Sequence, residues 1–298
     1  MRIMITGGSG FVGINLFEYF KKKHLVKKVS VRYLAKQKID VNADAIIHLA
    51  GKAHDLKNVS KPSDYYEANF ELTKQVFDSF LESEATVFVF LSSVKAVADR
   101  INGVLTEDTI PNPKTHYGIS KQQAEKYILS KELPYGKRIY IIRPCMIHGP
   151  GNKGNLNLLY NLVSRGIPWP LGSFENQRSF LSIENLCFVI NEILENDSII
   201  SGIYNVADDE AISTNELILI LSQSLGKRMR ILKIPRFFIN GISKMGDFLK
   251  LPLNSERLQK LTENYVVSNQ KIVKTMRKPL PVAVDEGLIN TFKSLKVS

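Results

Sequence analysis

The sequence predicts an α/β protein, a doubly wound parallel sheet followed by a smaller C-terminal α+β lobe. Three observations carry this reading. Apolar strand-like runs alternate with helix-length segments through the first half, the pattern of parallel strands joined by helical crossovers. A glycine-rich loop, Gly7-Gly8-Ser9-Gly10-Phe11-Val12-Gly13, joins the first strand to the first helix. From there to the end the character changes, beginning with loops rich in Gly, Pro and Asn at Gly149-Asn157 and Pro168-Asn176.

Taken in order, the first strand is Arg2-Thr6, whose apolar Ile3-Met4-Ile5 runs straight into the glycine loop. Helix Phe11-Lys23 follows on the apolar start Phe11-Val12, and strand Val29-Tyr33 on that. Strand Ala45-Leu49, helix Ser63-Leu81, strand Thr86-Leu91, helix His116-Lys131 and strand Arg138-Ile142 complete the alternation. Right-handed crossovers place the ligand outside the carboxyl ends of these strands. In the second half, Ser213-Thr214-Asn215-Glu216 before an apolar run is a capping box and starts a helix. Arg236 to Leu251 carries Phe238, Ile242, Met245 and Leu249 at helical spacing. That stripe reads as the core-facing side of a small-lobe helix, in preference to a membrane-surface face.

The glycine loop is a device for holding a dinucleotide. Gly7 allows a tight turn, Gly10 lets the backbone approach a pyrophosphate, and Gly13 lets the helix pack on the strand. The helix N-terminus then presents free N–H groups and a positive dipole end to the phosphates. Residues 1–150 are therefore expected to form a dinucleotide-binding Rossmann domain, to which the chain returns around 177–206. Residues 151–176 and 207–298 are expected to form the substrate lobe.

Composition narrows the function classes. The chain has 298 residues, enough for a sizeable core and two lobes. Its formal net charge is +11, spread over short runs such as Lys21-Lys22-Lys23 and Lys227-Arg228. No basic stripe with interleaved aromatics points to nucleic acid, and an anionic small substrate suits the excess charge. No apolar run is long enough to insert across a bilayer. The first strand starts at the N-terminus and leaves no room for a signal peptide. Cys145 and Cys187 lie in apolar segments and read as buried, reduced thiols, which together with these features predicts a cytoplasmic protein. No Cys/His cluster has metal-ligand spacing.

The chemistry is expected around Ser93, Tyr117 and Lys121. Tyr117 and Lys121 are four apart and share one face of a helix. A buried ammonium beside the phenol is expected to lower the tyrosine pKa, so that Tyr117 exchanges a proton with an alcohol or sugar oxygen. Ser92-Ser93 ends a strand at the edge where ligands bind, and Ser93 is the better placed to orient the reacting oxygen.

These residues, with His48-Leu49-Ala50-Gly51, Asn69, Leu91-Ser92-Ser93, Arg143-Pro144, His148-Gly149-Pro150-Gly151 and Arg178-Ser179-Phe180-Leu181-Ser182-Ile183, give the chain its likeness. It resembles an extended short-chain dehydrogenase/reductase of the NAD-dependent epimerase/dehydratase group over nearly its whole length. The resemblance implies a nucleotide-diphosphate sugar substrate and a nicotinamide cofactor, held by Gly7, Gly10, Phe11, Val12, Gly13, Arg32, Leu49, Ala50, Gly51, Ser92, Lys121 and Pro144. Asn69 would brace the strand that holds the cofactor. Asn155 would meet the nucleotide sugar beside Ser93, and Arg178 with Arg257 would clamp its diphosphate. Arg257 reads equally as an exposed helix residue. A homodimer built on Ser63-Leu81 and His116-Lys131 is also implied, and Phe70, Val76, Phe77 and Phe80 make the first helix more apolar than one buried face needs.

Two departures select the subgroup. Sugar 4,6-dehydratases of this group carry an Asp-Glu pair after the catalytic hydroxyl, where this chain has Val94 and Lys95. Valine cannot transfer a proton, so dehydration is disfavoured. The second strand ends at Arg32 with no acid for the ribose hydroxyls, which favours NADP over NAD. The segment from Tyr33 to Asn42 is short and lacks the usual adenine-contacting pair. Loose NADP binding fits a reductase. The expected function is 4-keto reduction of a UDP-6-deoxy-N-acetylhexosamine for surface polysaccharide synthesis. A UDP-hexose 4-epimerase is the alternative, and a non-catalytic dinucleotide sensor is disfavoured by the intact Ser93, Tyr117 and Lys121.

Overall fold

A computed structural model describes residues 1–35, 38–53, 61–152, 156–249 and 254–295. In chain order its elements begin with β1 (Arg2–Thr6), α1 (Phe11–Phe20), β2 (Leu25–Val29), β3 (Ala45–His48), α2 (Pro62–Tyr66), α3 (Leu72–Glu82), β4 (Val87–Leu91) and β5 (Val104–Leu105). There follow α4 (His116–Leu129), β6 (Arg138–Pro144), β7 (Met146–His148), α5 (Leu156–Ser164), β8 (Arg178–Ser182), α6 (Ile183–Glu195), β9 (Gly202–Val206) and β10 (Ala211–Ile212). The C-terminal part holds α7 (Thr214–Ser224), α8 (Arg236–Leu249), α9 (Ser255–Thr262), β11 (Val266–Val267), α10 (Gln270–Met276) and α11 (Val284–Leu295).

The main sheet has six parallel strands in the order β2-β1-β3-β4-β6-β9. In its central strands β3 and β4 every position but His48 is apolar, because both faces are covered. Ile3, Ile5, Ala45, Ile47, Val87 and Val89 fill one face; Met4, Ile46, Phe88, Phe90 and Ile141 fill the other. After β7 and β8, which with β10 make a separate three-stranded sheet, the chain returns to the main sheet at β9. A third core, around Trp169, Phe180, Leu217, Leu221, Leu288 and Phe292, gathers α5, α7 and α11. Ser213 caps α7 as the sequence predicts, its hydroxyl accepting from the Glu216 amide at 3.0 Å and its amide donating to the Glu216 carboxylate at 2.7 Å.

Three expectations are corrected. The second strand is Leu25–Val29, with Arg2 to Thr6 aligned against Leu25 to Val29, so Arg32 is three residues past its end and exposed. Pairing with β1 decides this: the exposed Lys27 and Lys28 lie on a sheet edge, where charge is tolerated. Second, Val76, Phe77 and Phe80 are fully buried in the sheet's own core and Phe70 packs against it, so their apolar surplus serves the monomer and is no sign of a subunit interface. Third, α8 buries Ile239, Ser243 and Gly246, while Phe238, Ile242, Met245 and Leu249, the stripe expected to face the core, are exposed.

At the carboxyl ends of the strands a buried polar thread ties three elements together. His48, fully buried, bonds Thr6 Oγ1 at 2.7 Å through Nδ1 and Thr73 Oγ1 at 3.0 Å through Nε2. Thr73 in turn donates to the Asn69 carbonyl at 2.7 Å. Burial, helped by the nearby charge of Lys121, pushes His48 from 6.5 down to about 3, so the ring is neutral. Below pH 6.5 the unfolded chain therefore takes up a proton that the folded chain refuses until about pH 3. This part of the stability is whole above that window and drains across it, by about 1.4 kcal/mol per pH unit. Urea unfolding at stepped pH is expected to show a slope shallower by one proton in His48→Gln than in wild type; parallel slopes would refute the assignment.

Candidate active site

The β1–α1 turn has the shape its glycines require. Gly7 has φ +69°, and a Cβ there would lie 2.7 Å from the Ala50 amide nitrogen. At Gly13 a Cβ would meet the Gly7 carbonyl oxygen at 2.5 Å, so the helix packs directly on the turn. Gly10 is different. Its backbone is extended, with φ −77°, and a Cβ would touch only the Gly7 carbonyl at 3.5 Å. Neither conformation nor packing demands glycine at 10; the bare position leaves the mouth of the turn open to close approach. Gly10 also caps α1 with no side-chain bond, and the first turn holds no acid. An open cradle against a helix N-terminus fits the pyrophosphate of a dinucleotide. Phe11 and Val12 pack against the core below.

The next wall is Leu49-Ala50-Gly51, just past β3. Asn69, fully buried in a π-helical turn (Glu67–Glu71) between α2 and α3, holds it. Its Oδ1 accepts from the Lys52 amide at 2.7 Å; its Nδ2 donates to the Lys52 carbonyl and to Ser120 Oγ, both at 3.0 Å. Asn69 thus braces the loop after β3 against α4. A Cβ on Gly51 would come within 3.3 Å of Lys121 Nζ, so the ammonium sits directly behind this wall.

Thr115 starts α4 by accepting from the Gly118 amide at 3.2 Å, which puts Tyr117 in the first turn and Lys121 one turn on. A Cβ on Gly118 would strike the Lys95 carbonyl at 2.4 Å, so glycine there lets the start of α4 press on the 3-10 turn Val94–Ala96 that Ser93 caps. This contact brings Ser93 to Tyr117. The Ser93 hydroxyl eases the Tyr117 pKa down, but burial is the larger effect and holds the phenol above its ordinary value. The expected lowering by Lys121 is corrected: the ammonium turns to the Leu91 carbonyl at 2.9 Å and lies 4.7 Å from the centre of the Phe90 ring. Burial pulls Lys121 down to about 8, opposed by Glu125.

Glu125 and Arg143, which the reading of the sequence did not place in the site, form its base. Arg143 on β6 grips Glu125 on α4 through Nε at 3.0 Å and Nη2 at 2.6 Å, with both side chains 3% exposed. Ser92 Oγ donates to the same carboxylate at 2.5 Å. The Ser92 hydroxyl is thereby engaged within the protein, and it is Ser93 whose hydroxyl meets Tyr117. The spacing held the signal: Tyr117, Lys121 and Glu125 follow at intervals of four along one helix face.

Pro144, at the buried end of β6, pairs with Val206 of β9. Arg178, at the start of β8, donates to the Lys260 carbonyl on α9, the helix that also carries the exposed Arg257. Lys95 stands on the same side. Its ammonium donates to the Asp99 carbonyl at 2.7 Å and lies 4.1 Å from the centre of the Tyr265 ring. Burial lowers its pKa; the carboxylates of Glu263 and Asp99 oppose this, and the charges of Arg178 and Arg100 add to it. Where a dehydratase would hold an acid, this chain places a cation next to Arg178. Asn155 lies outside the described residues. A separate cavity of ≈ 540 Å³ is bounded by Asp209, Glu210, Glu216 and Asp285, a lining that would repel a diphosphate. Cys145 and Cys187 are buried free thiols, pushed up by burial, Cys187 to about 12.

The model of the NAD dependent epimerase/dehydratase family matches residues 3–207. Among curated relatives, a UDP-glucose 4-epimerase of Vibrio cholerae is 31% identical over 261 residues, covering 78% of each chain. A GDP-6-deoxy-D-mannose reductase of Pseudomonas aeruginosa is 24% identical over 254 residues, covering 78% of this chain and 83% of its own. The fold is that of a UDP-glucuronic acid 4-epimerase from Bacillus cereus solved with NAD, at TM-score 0.76 and 18% identity, over 100% of this chain and 99% of that one.

The buried pair gives a direct test of this geometry. Glu125→Gln strands Arg143 without its countercharge and is expected to cost about 3–5 kcal/mol in urea unfolding. Adding Arg143→Met should recover a large part of that loss; no recovery would mean that the two side chains act independently.

Proposed function

The chain belongs to the NAD-dependent epimerase/dehydratase family, and we propose that within it the protein is a nucleotide-sugar 4-keto reductase acting on a UDP-6-deoxy-N-acetylhexosamine. The observation that carries this reading is the end of β2, where Val29 and Ser30 offer the cofactor's ribose no carboxylate and Arg32 lies exposed nearby, an edge that suits NADP and with it a reductase. Reducing a ketone to an alcohol consumes a proton, so the acid must start with one.

Gly7, Gly10 and Gly13 would hold the cofactor at its pyrophosphate, with Leu49, Ala50, Gly51, Ser92 and Pro144 around the rest. When bound, its reduced nicotinamide supplies a hydride to the sugar's C4 carbon. Everything else falls to the protein. Ser93 hydrogen-bonds the C4 oxygen and turns it toward Tyr117. Tyr117 gives that oxygen its proton. Lys121, positive at neutral pH with a pKa of about 8, meets the cofactor's ribose and favours return of a proton to the site. Arg178, with Lys95 beside it and Arg257 on the same helix as its backbone partner, holds the diphosphate. The sugar nucleotide lies against residues 151–176 and 207–298, and the dinucleotide against residues 1–150. With no acid at the end of β2 and Arg32 exposed three residues beyond it, the ribose edge favours NADP.

The second reading, a UDP-hexose 4-epimerase, is favoured by the 31% identical relative of that name. Stoichiometry separates the two. Incubated with a UDP-4-keto-6-deoxy-N-acetylhexosamine, the protein is expected to consume one NADPH or NADH per sugar reduced, with product followed by NMR. Tyr117→Phe should slow this roughly 10²–10⁴-fold while cofactor affinity holds. Conversion of a UDP-hexose with no net cofactor use, and none of the keto sugar, would establish the second reading.

Arg178→Ala is expected to weaken UDP and UDP-sugar binding roughly tenfold or more, with NADP affinity nearly unchanged, by isothermal titration. A loss confined to NADP would place Arg178 in the other half of the cleft.

A further inference from the structure

We propose that the exposed face of α8 docks the protein on the surface of an anionic lipid bilayer. The helix has three sides. Ile239, Ser243 and Gly246 face inward. Phe237, Phe238, Ile242, Met245, Phe248 and Leu249 are exposed, Phe248 at 87%. At about 100° per residue these six fall within an arc of about 140°, and no charged residue interrupts it. The polar side holds Arg236, Asn240, Lys244 and Asp247. A contiguous exposed apolar patch of this kind marks an interaction surface.

The charge around the face selects the occupant. The segment leading into the helix, Lys227-Arg228-Met229-Arg230-Ile231-Leu232-Lys233, presents four exposed cations, and Arg236 and Lys244 add two more. Over residues 227–249 the only acid is Asp247, whose carboxylate is held by Ser255 at 2.9 Å and 2.6 Å. Aromatic and aliphatic side chains rimmed by cations match the boundary between acyl chains and anionic headgroups. A second copy of the chain would bring the same cations against themselves. The contact is peripheral, since among the described residues no helix is long and apolar enough to cross a membrane. Helix α9 packs on α8 and receives Arg178 at Lys260, so the docked face adjoins the wall that carries the diphosphate clamp.

The test uses the full-length protein and sedimentation with vesicles of phosphatidylglycerol and phosphatidylcholine. Wild type is expected to bind these vesicles, to bind phosphatidylcholine alone at least tenfold more weakly, and to be partly released by salt. Phe237→Ser/Phe248→Ser, two exposed positions, should weaken binding at least tenfold with an unchanged melting temperature; so should Arg228→Glu/Lys233→Glu. As a report from the face itself, Phe248→Trp should blue-shift on vesicles and be quenched by brominated acyl chains, while Trp169 is buried and silent. Absence of vesicle binding by wild type would overturn the proposal. So would undiminished binding by the Phe237/Phe248 variant. A lipid-free dimer that this variant dissociates, seen by light scattering, would overturn it in favour of a second copy.

Discussion

The ion pair between Glu125 and Arg143 is the contact on which the site depends. It joins the second half of α4 to β6, and Ser92 ties the same carboxylate to the end of β4. Three elements are thereby fixed in rotation as well as distance. A helix lying on a sheet through apolar contacts alone can roll by part of a turn at little cost, because such contacts have no direction. A bidentate guanidinium–carboxylate pair does not allow it. Tyr117 and Lys121 precede Glu125 on the same helix face, so fixing Glu125 fixes them. The pair is desolvated, and as a source of stability it is weak; one Arg143 nitrogen, Nη1, is buried without a hydrogen-bond partner. Its service is orientation.

Burial, more than charge, sets the protonation states around this lock. His48 is held neutral, Lys121 is drawn down, and Tyr117 is pushed up, and desolvation leads the causes in all three. A lysine on the same helix face as a tyrosine invites a simple Coulomb argument, in which the ammonium lowers the phenol. The structure gives the ammonium another partner, the Leu91 carbonyl, and leaves the phenol to its dry surroundings and to Ser93. A phenol next to an orienting hydroxyl is the pair that exchanges a proton with a sugar oxygen.

Much of the fold was legible because parallel strands buried on both faces leave an unmistakable trace. Ile3 to Ile5, Ala45 to Ile47 and Val87 to Leu91 are apolar runs with no competing reading, and each lies within one or two residues of its predicted bounds. The glycines were legible too, since Gly7 and Gly13 are forced by contacts a single Cβ would violate. The edge strand was not. Leu25–Val29 carries two lysines and faces solvent, so its local pattern is weaker than that of the later Val29-Tyr33, and only pairing with β1 decides between them. Glu125 escaped notice for a related reason: its partner Arg143 is eighteen residues away on another element. The apolar surplus of α3 and the stripe of α8 failed in opposite directions. Periodicity shows that a face is apolar; it does not show what covers it.

That asymmetry between α3 and α8 follows from where each helix lies. Helix α3 packs beneath a wide sheet, and Phe77, Phe80 and Phe88 close on one another with ring centroids 5.1–5.8 Å apart, so nearly every apolar side chain it offers is taken up. Helix α8 lies at the border of the third core, which reaches it through Ile239. The helix meets that core along one side only and keeps its six large apolar side chains outside. The small residues Ser243 and Gly246 on its inward side let it lie close to the body of the protein. An apolar face that is surplus to packing, and bordered by cations that make no use of it, persists at a cost in solubility. Such a face is explained by what it meets outside the chain.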